Sequence, residues 1–195
     1  QRLYLLMEKQ HNRGQDGAGI ASIKIDPAPG LNFIDRERST DKDAIRKLFS
    51  KVDRGYAETI AQDPAAATDA ERLKQRMPFA GEVLLGHLRY ATFGNQGLEN
   101  CHPRRRLNNW LTRNLVVAGN FNMTNVDELF DLLVSIGQHP KERSDTMTVL
   151  EKIGHFLDVE NERIAAHHRL LGYNEKQITQ KIAEQLDVRQ ILVNS

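Results

Sequence analysis

Strand-like and helix-like stretches come in blocks along this chain, and their order constrains the fold more than any bulk property does. Leu3, Leu6, Met7 and Gln10 share one helical face, which Gly14 can stop. Ala18 to Ile25 and Leu31 to Arg36 then read as two strands joined by the turn-forming Pro27-Ala28-Pro29-Gly30. From Asp41 to about Met77 the pattern turns polar and helical. Ile45, Leu48, Phe49 and Val52 recur at helix spacing, and Asp69 is placed to cap Ala70-Glu71-Arg72-Leu73. Val83 to Tyr90 and Leu115 to Ala118 are two further apolar runs of strand length. Asn125 is the expected N-cap of the next helix, with Glu128 closing a capping box over Val126, Leu129, Phe130 and Leu133, and Gly137 ending it. A second helix starts near Ser144-Asp145-Thr146, with Val149, Leu150, Ile153 and Leu157 on its face. The last segment is helical and polar, with Ile178, Ile182 and Leu186 at four-residue spacing for packing. Strands, long helices, then strands and helices again predict a mixed α+β domain with helices layered on sheet.

The 195 residues suffice for one domain with a substantial core. A formal net charge of +1 gives no electrostatic argument for nucleic acid, and the short run Pro103-Arg104-Arg105-Arg106 reads as a solvated loop. One cysteine, Cys101, excludes an internal disulfide. No apolar run approaches a membrane span and no signal peptide is visible, so the expectation is a cytoplasmic protein without membrane or nucleic-acid partners. The seven histidines show no His-x-x-x-His or paired Cys/His spacing, so no metal site is expected.

Four short segments carry residue types suited to chemistry. Arg13-Gly14-Gln15-Asp16-Gly17-Ala18-Gly19-Ile20 packs three glycines into six residues, which serves a tight turn or a close backbone approach. A strand follows these glycines, unlike the helix that follows a dinucleotide-binding loop. In Gly86-His87-Leu88-Arg89-Tyr90-Ala91-Thr92, Arg89 ends an interior-looking strand. Its guanidinium serves either a structural ion pair or the clamping of a substrate carboxylate. Asn120 in Gly119-Asn120-Phe121-Asn122-Met123-Thr124-Asn125 lies between a strand and a helix. There an Asn amide and an adjacent N–H can form an oxyanion hole or simply a turn. Asp145, in the first turn of a helix, stays ionised; it either caps that helix or pairs with an ammonium group. Each segment has a sufficient structural explanation by itself. Together they describe a receptor for a free amino acid, with Arg89 on the carboxylate, Asp145 on the ammonium and Asn120 facing a side-chain amide.

Taken in order, the segments at 13–20, 86–92, 120–125 and 144–146 resemble the class II glutamine amidotransferase domain, and most closely its amidophosphoribosyltransferase branch. The resemblance covers about residues 3 to 158. It implies a four-layer αββα N-terminal-nucleophile hydrolase fold, lacking its first strand in this chain. It also implies hydrolysis of glutamine to glutamate and ammonia, as the glutaminase half of a purine-synthesis enzyme. By position, Arg89 and Thr92 would hold the glutamine carboxylate and Asp145 its amino group. Asn120 and the N–H of Phe121 would form the oxyanion hole, and Arg13 would shape the pocket near the nucleophile. The expected domains are 1–158, an amidotransferase domain with an incomplete N-terminus, and 159–195, a helical extension or the start of a linker. That linker would lead to an absent phosphoribosyltransferase domain, the ammonia acceptor. No cofactor is expected in this chain; magnesium with phosphoribosyl pyrophosphate belongs to the absent domain, and a homo-oligomer is compatible with this reading.

Three departures stand out. The family's nucleophile is a cysteine at the start of the mature chain, whose own α-amine is the base. Here Gln1 comes first, and Cys101 lies mid-chain without a free amine. Phe121 stands where the family usually has Gly, and no Asp-Asp followed by a Gly-Thr-Thr phosphate loop is found. These departures motivate two alternatives. One is a glutamine-binding regulatory domain without catalysis. The other is the glutaminase domain of a glucosamine-6-phosphate or asparagine synthetase.

Overall fold

The computed structural model describes residues 1–90, 97–120 and 122–195, with Arg13 described by its backbone alone. Thr92 and Phe121 therefore lie outside the described residues, as does the side chain of Arg13. The chain is α+β and divides into two units, residues 1–104 with 116–119, and residues 105–115 with 120–195.

In the first unit helix α1 (Arg2–Lys9) leads through a single 3-10 turn, His11–Arg13, into strand β1 (Gly17–Ile23). β2 (Ile34–Ser39), α2 (Ala44–Gln62), α3 (Ala70–Arg76) and β3 (Val83–Arg89) follow. The strands form an antiparallel sheet in the order β2-β1-β3. Side chains alternate across a strand, so the register assigns each face. Ala18 and Ile20 of β1 turn to the same side as Leu88 of β3. They pack there with Met7 of α1 and Ala44, Ile45 and Leu48 of α2. The apolar stripe read from the sequence of α2 is thus the one buried. Each such side chain, when fully buried, contributes about 1.5–3 kcal/mol.

The expected helical block from Asp41 to Met77 is interrupted. α2 ends at Gln62, a 3-10 turn spans Pro64–Ala67, and Asp69 then caps α3 by accepting the N–H of Arg72 at 3.0 Å. Lys74 of α3 is buried and donates to Ile25 O at 2.9 Å and Glu82 Oε1 at 2.7 Å, which ties the helix to the end of β1. That ammonium holds the Glu82 carboxyl down to about 2, helped by the N–H of Ile25.

Gly55 lies in the middle of α2, and a Cβ built there meets nothing within 4 Å. Gly55→Ala is therefore expected to stabilise the protein by about 0.5–1 kcal/mol, because alanine has less chain entropy to lose. A urea melt of the two proteins checks this through the transition midpoint.

Strands β4 (Arg104–Arg106) and β5 (Leu115–Val117) lie where the chain passes between the units. The expected solvated loop at Pro103–Arg106 is corrected here. Arg104 is buried, and Arg106 donates to both carboxylate oxygens of Asp158 and approaches Glu151 at 3.8 Å. The partners come from a helix some fifty positions away, so an arginine that looks free in sequence is neutralised by distant acids.

The second unit is helical: α4 (Val126–Ser135), α5 (Asp145–Leu170), α6 (Glu175–Gln185) and α7 (Val188–Asn194). Ile164 and Ala165 of α5 meet Ile178 and Ile182 of α6, with Trp110 and Leu186 against them. Asn161 is fully buried in α5. Its Nδ2 donates to Leu157 O at 2.7 Å and Thr112 O at 3.3 Å, and its Oδ1 accepts from Thr112 Oγ1. Gly137 ends α4 at φ +84, and the N–H of Gln138 reaches back to Leu133 O at 2.9 Å. The capping box expected at Asn125 does not form. Its backbone, at φ −119 and ψ 29, is not in the extended geometry that turns the side chain toward the first amides. Ser144 does cap α5, accepting from the N–H of Met147 at 3.4 Å. Among the described residues no helix is long and apolar enough to cross a membrane.

Candidate functional site

The other face of the three-stranded sheet is polar, and alternation explains its content. Arg89 and His87 are two residues apart on β3, opposite Gly17 and Gly19 of β1. Arg38 of β2 lies across from Gly19, and Arg36 across from Ala21. The middle strand thus lacks side chains where its neighbours carry their largest polar ones.

Residues 98–103 occupy that space. A Cβ on Gly17 would stand 2.7 Å from Cys101 Sγ, and one on Gly19 would stand 1.9 Å from the carbonyl oxygen of His102. Arg38 Nη1 donates to Cys101 O at 2.7 Å and Glu99 O at 3.3 Å, and Arg36 Nη1 donates to Pro103 O at 3.4 Å. These glycines serve a close approach of main chain, not a turn. Gly14 does the same for Arg89: a Cβ there would meet the Arg89 carbonyl carbon and oxygen at 2.8 Å. The N–H of Asp16 donates to Arg89 O at 3.1 Å. The first two of the four sequence segments therefore meet, and the turn that carries the backbone of Arg13 ends against the end of β3.

Arg89 is 8% exposed and donates to Gly97 O at 3.3 Å. Cys101 is fully buried, and its thiol donates to Ser39 O at 3.9 Å. Burial pushes that thiol above its ordinary range, opposed by the neighbouring Arg89 guanidinium. A protonated, enclosed thiol is a poor nucleophile. The expectation that Cys101 is not the catalytic nucleophile has this physical basis.

Two imidazoles adjoin this group. His87 and His102 have ring centroids 4.7 Å apart, and the N–H of Gly119 donates to His102 Nδ1 at 3.4 Å. Burial lowers both, and the neighbouring His87 and Arg104 help to bring His102 down to about 4. The pair was missed in sequence. The alternation that puts His87 on the face of Arg89 was legible, but the meeting with His102 depends on a loop that no local pattern places.

In the second unit Asp145 opens α5. Its Oδ2 accepts the N–H of Met123 at 3.1 Å, so its carboxylate anchors the segment that begins at the exposed Asn120. Ser144, not Asp145, is the residue that caps the helix. Arg13 and Arg89 belong to the first unit, and Asn120 and Asp145 to the second.

A family model described as glutamine amidotransferases class-II matches residues 47–192. The amidophosphoribosyltransferase of Archaeoglobus fulgidus is 29% identical over 171 residues, which cover 86% of this chain and 29% of that protein. The amidophosphoribosyltransferase of Pseudomonas aeruginosa is 27% identical over 162 residues, covering 83% of this chain and 26% of that protein. The isomerizing glutamine–fructose-6-phosphate aminotransferase of Sulfurisphaera tokodaii is 29% identical over 151 residues, covering 77% of this chain and 20% of that protein. This chain thus spans under a third of the length of each of these three relatives.

Proposed function

Because this chain belongs to the class II glutamine amidotransferases, we propose that it hydrolyses glutamine to glutamate and ammonia as the glutaminase part of an amidophosphoribosyltransferase-like synthase. The observation that carries the reading is the junction at the end of β3. There a buried arginine is fixed through its main chain by the Gly14–Asp16 segment and through its guanidinium by Gly97 O. A guanidinium held that way is preorganised to take a substrate carboxylate bidentately, with little further loss of freedom. Thr92 assists it in this reading, and Asp145 takes the α-ammonium.

The chemistry then needs three further things. A thiolate attacks the side-chain amide carbon, and the carbonyl oxygen becomes an oxyanion. Asn120 and the N–H of Phe121 donate to that oxygen, each such donor being worth about 2.7–4 kcal/mol. The C–N bond breaks as the nitrogen takes up the proton removed from the thiol, and water hydrolyses the thioester. Arg13 shapes the pocket beside the nucleophile. Since Cys101 is enclosed, the reading puts the nucleophile on an N-terminal cysteine of the parent polypeptide, within a four-layer αββα hydrolase fold. The fold assignment follows the family.

The acceptor is the finer point. Similar identity to an amidophosphoribosyltransferase and to a fructose-6-phosphate aminotransferase leaves the Arg-Gly-Gln-Asp and Asn-Met-Thr-Asn segments as the grounds for preferring the phosphoribosyl branch. One experiment tests both levels. The full-length protein is given glutamine, and glutamate release is followed with phosphoribosyl pyrophosphate and magnesium, with fructose 6-phosphate, or with neither. Release that is stimulated by the first and abolished by a diazo-ketone glutamine analogue is expected. Stimulation by the sugar phosphate instead would move the acceptor. Glutamine binding with no glutamate release, and no labelling by the analogue, would make this a non-catalytic glutamine-binding domain.

A further inference from the structure

We propose that His102 is a positioning residue for glutamine hydrolysis: its Nδ1 holds the N–H of Gly119 and thereby sets the peptide that leads into Asn120. The inference rests on the reading of Asn120 as an oxyanion donor. It assigns a task to an imidazole that the reaction scheme leaves unused.

The main chain of His102 is fixed before its ring does anything. Arg38 and Arg36 hold the carbonyls on either side of it, at Cys101 and Pro103. Its own carbonyl fills the place a side chain on Gly19 would take. The ring is then confined by His87 at 4.7 Å between centroids, tilted by 51°. With backbone and ring both constrained, Nδ1 is held facing the Gly119 amide, which donates to it at 3.4 Å.

An imidazole nitrogen that accepts a hydrogen bond carries a lone pair, so this geometry requires the neutral ring with its proton on Nε2. The surroundings favour the neutral ring. The titratable groups acting on the ring are His87 and Arg89 from β3 and Arg104 from β4, and a further positive charge beside the two arginines is unfavourable. With burial, this effect outweighs the backbone contact at Gly119, which acts the other way. His87 is kept neutral by the same burial, and among the described residues its Nδ1 is buried without a hydrogen-bond partner. The two rings form a neutral wedge between arginines, and His102 Nδ1 accepts from the residue before Asn120.

The consequence for the reaction is geometric. An oxyanion donor works only if it is aimed at where the charge develops, and displacement by about 1 Å can cost on the order of 100-fold in rate. Without an acceptor for the Gly119 amide, the peptide preceding Asn120 turns toward water, and the donor loses its aim while the groups that bind glutamine stay in place. The loss therefore falls on kcat and not on KM.

The sign of the pH effect follows. The His102 pKa is depressed to about 4 from an ordinary value of 6.5. The unfolded chain therefore takes up the proton first as pH falls. The stability contributed by the neutral ring is complete above 6.5 and is lost progressively down to about 4.

The test uses the full-length protein with two substitutions. His102→Leu removes the acceptor, and His102→Gln supplies an uncharged one. The expected result is a kcat for glutamine hydrolysis lowered about 10- to 100-fold in His102→Leu, with KM within about twofold. His102→Gln should recover most of that loss. The 15N resonance of the Gly119 amide should titrate with a midpoint near 4 in the wild type and be flat in His102→Gln. A wild-type kcat in His102→Leu, an equal loss in both variants, or a ring carrying its proton on Nδ1 would each overturn the proposal. If His102→Leu does not fold, the glutamine variant and the Gly119 titration still decide it. A wild-type protein that releases no glutamate overturns the functional reading, and with it the catalytic role of His102, whether or not Gly119 titrates.

Discussion

Gly19→Ala is expected to leave the protein largely unfolded or insoluble, although it adds one methyl group. That methyl would stand 1.9 Å from the carbonyl oxygen of His102, well inside van der Waals contact. The oxygen belongs to main chain anchored by two arginines of β2, so no flexible side chain can move aside. Overpacking usually costs about 1–3 kcal/mol, and a clash between two fixed backbones belongs at or above the top of that range. Set against a total stability of about 5–15 kcal/mol, the loss takes much of what holds the first unit together. Soluble yield and the urea midpoint measure it. A folded Gly19→Ala protein with an unchanged midpoint would mean that residues 98–103 do not pack on β1 as described.

Arg89→Gln is the second large effect, this time on function. Glutamine keeps much of the length and some hydrogen bonding but removes the charge. Truncating one member of a desolvated charge pair typically costs about 2–5 kcal/mol, so kcat/KM for glutamine should fall by roughly 10²–10³-fold. Most of the change should appear in KM, because the carboxylate is bound alike in ground and transition states. Arg89→Lys keeps the charge but not the fork, and should recover only part of the loss. Asp145→Asn should resemble Arg89→Gln if the ammonium is its partner. Since Arg89 also meets Gly97 O, a thermal melt must accompany the kinetics. A variant with normal glutamine affinity and a normal melt would remove Arg89 from the site.

Local pattern made much of the fold legible. The stripe of α2, the cap at Asp69, the stop at Gly137 and the strand ending at Arg89 are each decided by residues within a few positions of one another. The capping box of α6, between Asn174 and Gln177, is equally local. What local pattern did not give was long-range. The glycines of β1 look like turn residues until residues 98–103 are laid over them, and Arg106 looks solvated until α5 supplies its acids. Asn125 erred in the other direction, because the right residue type at a helix start makes no cap when its backbone points elsewhere. For the candidate site, the sequence named Arg89, Asp145 and the Gly14 segment. Only the folded chain shows that Gly14 and Asp16 grip Arg89 by its main chain.

Residues 98–103 are held almost wholly by their carbonyl oxygens, at Glu99, Cys101 and Pro103 through the arginines of β2 and at His102 through the gap above Gly19. Peptide oxygens are the same whatever residue bears them. The mounting of the main chain is therefore separate from the tasks of the side chains it carries, the buried thiol of Cys101 over Gly17 and the His102 ring against Gly119. Selection acting on this protein's descendants would find the glycines beneath residues 98–103 closed to change, because what they make room for is main chain that every residue type shares.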